Sequence, residues 1–276
     1  MRFPLFIMNL LPLPSFFAVA RAAAGREFLS HRLNRFLHAH LLLVLAAGFL
    51  PLLTPGEALA RGAAWWLLHA VLYAVSLSAL LLGLSSAQAE AEEFAWLLGQ
   101  PTGMGAWLAG KAGALVALAI GAAALLIAPA AVAGGASPAL ALVGAGAAGV
   151  SVVGALAGLA IGFWIRDNVR GLIVAVLVWL VALFGTDLAM LALAGAPFAQ
   201  RHPDLWVAPL MANPLDAFRI TVLFAVERAA FGGSGAGRLT GWWVANAPLW
   251  LATVLFAWAA GSTALAWLGA RRRVDN

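Results

Sequence analysis

Six apolar stretches, each long enough to cross the hydrocarbon core of a membrane as a helix, constrain this chain more than any other feature of its sequence. A membrane core of about 30 Å takes about 20 apolar residues in helical form. The stretches are bounded by charge, proline or glycine, and they cover residues 37–55, 63–84, 107–129, 138–164, 171–195 and 245–269. Because a helix satisfies its own backbone hydrogen bonds in lipid, the sequence predicts an all-α membrane protein with six transmembrane helices.

The composition supports this prediction and narrows the chemistry. Hydrophobic residues make up 64% of the chain and charged residues 10%, whereas about a quarter of the residues in soluble domains are charged. The chain has no cysteine and five scattered methionines, so its sequence offers neither a disulfide framework nor a cluster of sulfur ligands for copper. A net charge of +5 in so apolar a chain is typical of basic flanks beside membrane helices and not of nucleic-acid binding.

The basic residues fall unequally on the two sides of the predicted spans. The richer side has Arg21, Arg26, Arg32, Arg35, Lys111, Arg166, Arg170, Arg271, Arg272 and Arg273, besides Arg2. The poorer side has Arg61, Arg201, Arg219, Arg228 and Arg238. Since membrane proteins retain basic flanks in the cytoplasm, this distribution predicts that both termini are cytoplasmic.

Two segments precede the first span. Residues 1–21 form an extension with a basic start, an apolar stretch and a sequence, Ala18-Val19-Ala20, that resembles a signal-peptidase site. Cleavage there would leave the arginine-rich segment outside, so we interpret the extension as uncleaved or as the result of a mis-called start codon. Residues 22–36 predict an amphipathic helix in the inner membrane interface, with a solvated basic flank as the alternative. Its apolar side chains are Phe28, Leu29, Leu33, Phe36 and Leu37, and its polar ones are Glu27, His31, Asn34 and Arg35.

Residues 90–100, on the arginine-rich side, predict a short helix. Its acidic residues are Glu90, Glu92 and Glu93, and its apolar ones are Phe94, Trp96, Leu97 and Leu98. Acids at a helix N-terminus favour its dipole, which explains the glutamates without a function. The functional interpretation is a docking helix whose aromatic side chains enter a groove on a cytoplasmic partner. In the next loop on this side, Arg166 and Arg170 predict a second contact with that partner or an anchor of two helix ends among lipid headgroups.

Asp187 is the one acid well inside a predicted span, near its outer end. An intramembrane carboxylate is costly and usually has a partner, which Arg201, Arg219 or a helix end could provide. Asp187 is interpreted equally as a structural pin or as part of a substrate path. Further along, Asn213-Pro214 predicts the start of an amphipathic outer helix over 214–230 that rests on the bundle or on a partner.

Two glycine patterns have structural interpretations. The stretch GMGAWLAGK, residues 103–111, matches the first part of a phosphate-binding loop, but Ala112 follows where Ser or Thr would hold magnesium. We therefore predict no ATPase site in this chain, and no catalytic, cofactor or metal site. Gly154, Gly158 and Gly162 predict a seam of close helix packing, within the chain or between two copies.

The entry segment REFLSHRLNRF, the six spans and the loop EAEEFAWLLGQPTGMGAWLAGK together resemble the permease subunits of type-2 ABC exporters, or ABC-2 permeases. In that family an acidic segment, two leucines, a QP and a GK link the second and third spans. Within it, VWLVALFGTDLAMLAL and NPLDAFRITVLF are similar to the NosY family, the permeases of nitrous-oxide reductase maturation systems. The resemblance extends from about residue 22 to the end. The chain departs from it in its N-terminal extension and in Ser85-Ser86-Ala87-Gln88, where family members often carry further acid.

The resemblance implies a homodimer in a bacterial inner membrane, bound to two copies of a separate cytoplasmic ATPase that binds the ATP. Residues 90–100, with Arg166 and Arg170, would be the coupling contacts. Asn213, Asp216, Phe218 and Arg219 would contact a periplasmic partner similar to the β-helix protein NosD. ATP-driven movement would export a small species related to sulfur or copper, or transmit force to the outer partner so that copper reaches the reductase. The lack of clustered sulfur ligands favours the second route.

Three other functions remain open from the sequence. An ABC-2 exporter of a lipid or drug-like molecule would have the same architecture. An ion-coupled secondary carrier has thin support, because the chain has one intramembrane acid and no detectable inverted repeat. A membrane anchor that only assembles partners is the third. ATPase activity that requires the assembled complex would separate an ABC permease from a carrier.

Overall fold

The computed structural model describes residues 15–53, 57–89, 103–135, 137–193, 196–197, 201, 204–226 and 238–275. Over these residues the chain is helical and has no strand. The α-helices are α1 (Phe16–His31), α2 (Arg35–Phe49), α3 (Glu57–Ala70), α4 (Ser76–Ala89), α5 (Met104–Gly134), α6 (Pro138–Trp164), α7 (Asn168–Leu180), α8 (Thr186–Leu193), α9 (Asp204–Ala212), α10 (Pro214–Val226) and α11 (Arg238–Asp275).

Six helical stretches are long and apolar enough to cross a membrane. They are Arg35–Leu53, Gly62–Ala89, Met104–Gly134, Pro138–Trp164, Asn168–Leu193 and Ala245–Arg273, the first to sixth spans. Each overlaps one of the six predicted stretches, so the prediction of an all-α, multi-pass membrane protein is confirmed. Several helices extend past the apolar windows, because a helix continues until a cap or a breaking residue ends it.

The segment predicted to lie in the membrane interface forms a separate helix, with different bounds from those predicted. The Ser15 hydroxyl accepts a hydrogen bond from the Ala18 N–H and caps the start of α1, which ends at His31. Asn34 then caps α2 through its side-chain oxygen, which accepts from the Phe36 N–H at 2.8 Å. A turn therefore separates α1 from the first span, where the sequence predicted one helix over 22–36.

The second and fourth spans form the closest helix pair of the bundle. A Cβ atom at Gly158 would lie 1.9 Å from the Leu80 carbonyl oxygen, and a Cβ at Gly83 would lie 1.8 Å from the Ala155 carbonyl oxygen. Any residue with a Cβ atom would clash at these two positions, so glycine is required there. Small residues allow the same kind of close approach at membrane helix interfaces in general. The predicted glycine seam is thus a contact within the chain.

Two spans contain a π-helical turn, Val71–Val75 in the second and Val181–Gly185 in the fifth. Polar side chains bond carbonyls within these turns. The Ser76 hydroxyl donates to the Leu72 oxygen at 2.6 Å, and the Asn213 amide donates to the Ala182 oxygen at 2.6 Å. Since π-turns loosen the regular helical ladder and are frequent at functional sites, these two positions are natural points of bending.

Candidate functional site

A buried ionic cluster joins α1 to the second and third spans. Glu27 Oε2 in α1 lies 2.6 Å from Lys111 Nζ in the third span. The other oxygen, Oε1, accepts a hydrogen bond from the Ser86 hydroxyl in the second span and lies 2.9 Å from His31 Nε2. All four side chains are buried, and we call them the Glu27 cluster. One carboxylate thereby links three helices.

The hydrogen bonds of Asn34 set the orientation of His31. Because Asn34 Oδ1 accepts from a backbone N–H, the amide nitrogen is the atom that faces Ser85 and His31. This nitrogen donates to the Ser85 hydroxyl at 3.0 Å and lies 3.2 Å from His31 Nδ1. Nδ1 therefore faces the Asn34 amide, and Nε2 faces Glu27.

Two opposing effects set the pKa of Glu27. Burial raises it, because desolvation disfavours a carboxylate. The hydrogen bond from His31, the charge and hydrogen bond of Lys111 and the hydrogen bond from Ser86 outweigh burial and lower the pKa from 4.5 to about 2. Glu27 is therefore ionised at neutral pH and balances the buried ammonium of Lys111. The additional hydrogen bonds are what allow such a pair to be buried.

The polar face of α1 packs against the bundle. The sequence separates this face from the apolar one but does not indicate which of them contacts protein. In the structure Glu27 and His31 face inward, while Leu29 is exposed and Leu33, in the turn that follows, is 90% exposed. Lipid favours this arrangement, because apolar side chains lose nothing there and polar ones gain a charged partner inside the protein.

Gly110 and Lys111 have a packing role. A Cβ at Gly110 would lie 2.1 Å from the Ala20 carbonyl oxygen of α1, so glycine is needed for α1 to lie close enough for Lys111 to reach Glu27. Both residues are inside α5, whereas a phosphate-binding loop requires a turn between a strand and a helix.

The Glu27 cluster lies beside the ends of the loop with the predicted docking helix. Ser86 is about one helical turn before the end of α4, and Lys111 is about two turns after the start of α5. Residues 90–102 connect these helices. The predicted docking residues Glu90, Glu92, Glu93, Phe94, Trp96, Leu97 and Leu98 lie outside the described residues. The cluster therefore holds the positions from which this loop departs and returns.

The other predicted contacts on this side, Arg166 and Arg170, lie at the turn between the fourth and fifth spans. Both are exposed. Asp167 Oδ1 accepts a hydrogen bond from the Arg170 N–H at 2.7 Å and so caps α7. Contact of these arginines with a partner protein stays a prediction.

At the opposite end of the bundle, Asp187 pairs with Arg219. The guanidinium donates to both carboxylate oxygens at 2.8 Å in a two-point contact, and its Nη2 also lies 2.9 Å from Asp216 Oδ1. Of the three partners that the sequence offered for Asp187, Arg219 is the one observed. The pairing joins the fifth span to α10. These are the contacts expected if Asp187 has a structural role.

Asn213 completes this outer cluster and begins α10 as predicted. Its side-chain oxygen accepts from the Leu215 N–H at 3.0 Å, and its amide donates to Asp216 at 2.8 Å. The same amide bonds the Ala182 carbonyl in the π-turn of the fifth span. The start of α10 is thus fixed to the point where the fifth span departs from regular geometry.

The predicted outer contacts are largely occupied within the chain. Phe218 is fully buried, Asp216 is 2% exposed, and the Arg219 side chain keeps 28% exposure. Burial raises the pKa of Asp216, and the charge of Arg219 opposes this. The inward position of Phe218 and Asp216 follows from α10 packing on the bundle. Contact of this segment with an outer partner stays a prediction, and Asn213 and Arg219 are the two predicted residues that stay partly exposed.

A cleft of about 990 Å³ opens along the fifth span. Almost all of its lining is apolar, including Leu80, Val153, Leu177 and Met190. Clefts of this size and character hold apolar ligands or neighbouring helices. Both π-turns adjoin it, since Ser76 and Ala182 contribute to its walls.

No group of three or more His, Cys, Asp or Glu residues among the described residues could hold a metal ion. His40 is buried and bonds the Ser78 hydroxyl through Nδ1 at 2.7 Å, whereas His38 is exposed. The two histidines therefore face opposite sides of the first span, as their spacing predicts.

Comparison of the sequence with models of known protein families and with curated proteins finds no match.

Proposed function

We propose that this chain is the permease subunit of a type-2 ABC transporter, in a bacterial inner membrane with both termini in the cytoplasm. The observation that carries the proposal is the Glu27 cluster. It links the entry helix α1 to both spans that flank residues 90–102. A force applied to that loop would reach three helices together, which is what coupling to an external ATPase requires.

The docking surface for the ATPase is residues 90–100. The acidic start and the apolar residues Phe94, Leu97 and Leu98 supply the charge and the anchors for a groove on a cytoplasmic partner. Arg166 and Arg170 are at the same end of the bundle and are the candidates for a second contact. ATP is bound by the partner.

The force would pass to the outer end through the spans with π-turns. The fifth span is pinned to α10 by the Asp187–Arg219 pair, so bending at Val181–Gly185 would displace α10. We propose that this motion reaches a periplasmic partner similar to NosD, as in maturation of nitrous-oxide reductase by the NosY family. In this proposal the chain transmits force to the outer partner, which delivers copper to the reductase. Copper itself does not pass through the chain.

A second copy of the chain would cover the fifth span. Only 11% of the apolar window of this span is buried within the chain, and the cleft of about 990 Å³ runs along it. A homodimer with twofold symmetry would bring two such surfaces together.

The isolated complex tests this function. A tagged chain is purified from native membranes in mild detergent, the co-purifying chains are identified by mass spectrometry, and ATPase activity is measured. We expect a separate ATPase subunit and a periplasmic β-helix protein. An ATPase alone would point to an ordinary exporter, and the lack of any ATPase would contradict the ABC assignment.

The cleft favours one second candidate, an ABC-2 exporter of a lipid or lipid-like molecule. Its apolar walls and its size fit a hydrocarbon chain. ATPase activity stimulated by one added lipid, in a complex without a periplasmic partner, would support this candidate over maturation of a copper enzyme.

A further inference from the structure

A second pocket, of about 580 Å³, lies at the arginine-rich end between the fourth and fifth spans. It is lined by Trp164, Ile165, Arg166, Asp167, Arg170, Ile173 and Val174. This pocket meets the apolar cleft at Val174, which lines both, and it contains no residue of the Glu27 cluster. Its walls are basic on one side and apolar on the other.

The basic side carries an excess of positive charge. Arg166 and Arg170 line the pocket and form no ion pair with any described residue. The one acid in the lining, Asp167, uses an oxygen to cap α7. Two arginines against one aspartate leave the lining of the pocket with one net positive charge.

The end of the sixth span adds to this charge. The Arg272 guanidinium lies 5.4 Å from the centre of the Trp164 ring, on the pocket wall. Arg273 donates to the Phe163 carbonyl oxygen at 2.8 Å, and its guanidinium lies 5.6 Å from the centre of the Phe163 ring. Several guanidinium groups near one pocket are an arrangement that suits phosphate groups.

The apolar side is continuous with the membrane face of the fifth span. Trp164 is 46% exposed, Val169 67% and Ile173 54%. Ile173 is more than one turn inside the span, at a depth that belongs to acyl chains and that a soluble protein does not reach. Trp164 is at the end of the fourth span, and tryptophan is typical of the boundary between headgroups and hydrocarbon.

We propose that this pocket binds an anionic phospholipid of the adjacent leaflet, with its phosphate between Arg166 and Arg170 and an acyl chain along Trp164 and Ile173. Basic pockets between membrane helices on the cytoplasmic side suit acidic lipid headgroups. The lipid site goes beyond the proposed ABC function, and it uses the two arginines that are also the candidates for a second ATPase contact. It assigns the two arginines to lipid, and docking of the ATPase on them is the competing outcome of the test.

The test is native mass spectrometry of the purified full-length chain, titrated with phosphatidylglycerol, phosphatidylcholine or free glycerol phosphate. The wild type should bind phosphatidylglycerol about 30-fold more tightly than phosphatidylcholine, since the two arginines together contribute about 2 kcal/mol towards an anionic lipid. This comparison needs no variant, so it remains decisive if a substitution impairs folding. Equal binding of the two lipids would overturn the proposal, and binding of free glycerol phosphate as tight as that of the lipid would identify a small-anion site in its place.

The variant pair Arg166→Gln/Arg170→Gln locates the site. We expect it to lose most of the preference for phosphatidylglycerol. The matched control, Arg32→Gln/Arg35→Gln, removes two exposed arginines at the same end and should keep the preference. Unchanged lipid binding in the first pair would overturn the proposal. If that pair kept the lipid preference and lost the co-purifying ATPase, the arginines would be a protein contact, and the proposal would be overturned.

Discussion

Glu27 and Lys111 are both held out of water, where either charge alone would be costly. The sequence did not predict their contact, because Lys111 is far from Glu27 along the chain. Lys111 also resembles the basic residues at the cytoplasmic ends of spans, from which we predicted the orientation in the membrane. By contrast, Asp187 was recognised from its position in a span, and Arg219 was among its predicted partners. A charge within an apolar stretch is conspicuous in a sequence, whereas a buried charge near the end of a span resembles a solvated one.

The Glu27–Lys111 pair predicts strong coupling between two substitutions. Glu27→Gln leaves a buried ammonium without its carboxylate, and Lys111→Met leaves a buried carboxylate without its cation. Each should reduce the free energy of unfolding by about 3–5 kcal/mol. The double variant should lose clearly less than the sum, because neither charge remains. Equilibrium unfolding of the four proteins in mixed micelles measures this, and additive losses would show that the two side chains do not stabilise each other.

The low pKa of Glu27 predicts a loss of stability in acid. The folded-state value, about 2, is below the ordinary value of 4.5, so the stabilisation is complete above about pH 4.5 and is lost as the pH falls towards 2. Thermal unfolding of the wild type from neutral pH to about pH 3 should show this decline. Glu27→Gln should be less stable at neutral pH and should lack this component of the decline. A parallel acid dependence of the two proteins would refute the assignment to Glu27.

At the scale of helices, the six spans could be predicted because runs of about 20 apolar residues have few other solutions. The docking of α1 could not be predicted. An amphipathic pattern separates a polar from an apolar face, but it does not show which face contacts protein when the surroundings are lipid. The π-turns at Val71–Val75 and Val181–Gly185 also have no signal in local sequence. Directly after the first of them, Ser76 accepts a hydrogen bond from the indole of Trp179 at 2.9 Å, a residue far away in the sequence.

Two glycines in α5 provide a matched test of how α1 docks. A Cβ at Gly110 would meet the Ala20 carbonyl oxygen at 2.1 Å, whereas a Cβ at Gly113 meets nothing within 4 Å. Gly110→Ala should therefore push α1 from the bundle and separate Glu27 from Lys111. Gly113→Ala should have no such effect and should slightly favour the helix. Distances between spin labels on α1 and the third span measure the displacement. Equal distances in the two variants would contradict the docking geometry.

At the scale of the whole molecule, the proposed dimer can be tested with single introduced cysteines, because the sequence has no cysteine of its own that could form a disulfide. Val181, 68% exposed in the fifth span, borders the apolar cleft. Phe256 is exposed on the sixth span, about 200° around the helix from the cleft residue Trp258. Val181→Cys should form an oxidation-dependent covalent dimer in membranes, and Phe256→Cys should not. Dimers from Phe256→Cys alone would place the second copy on the other side of the bundle.

The central claim is that residues 90–100 dock a separate ATPase, and a photocrosslinker at position 96 tests it most directly. The reagent replaces Trp96 in the full-length chain in native membranes, and a control replaces Trp66, which is exposed on the second span towards the opposite end of the bundle. We predict a crosslink from position 96 to a nucleotide-binding subunit, identified by mass spectrometry, and none from position 66. Position 96 failing to capture such a subunit, in membranes that contain the folded chain, would contradict the account.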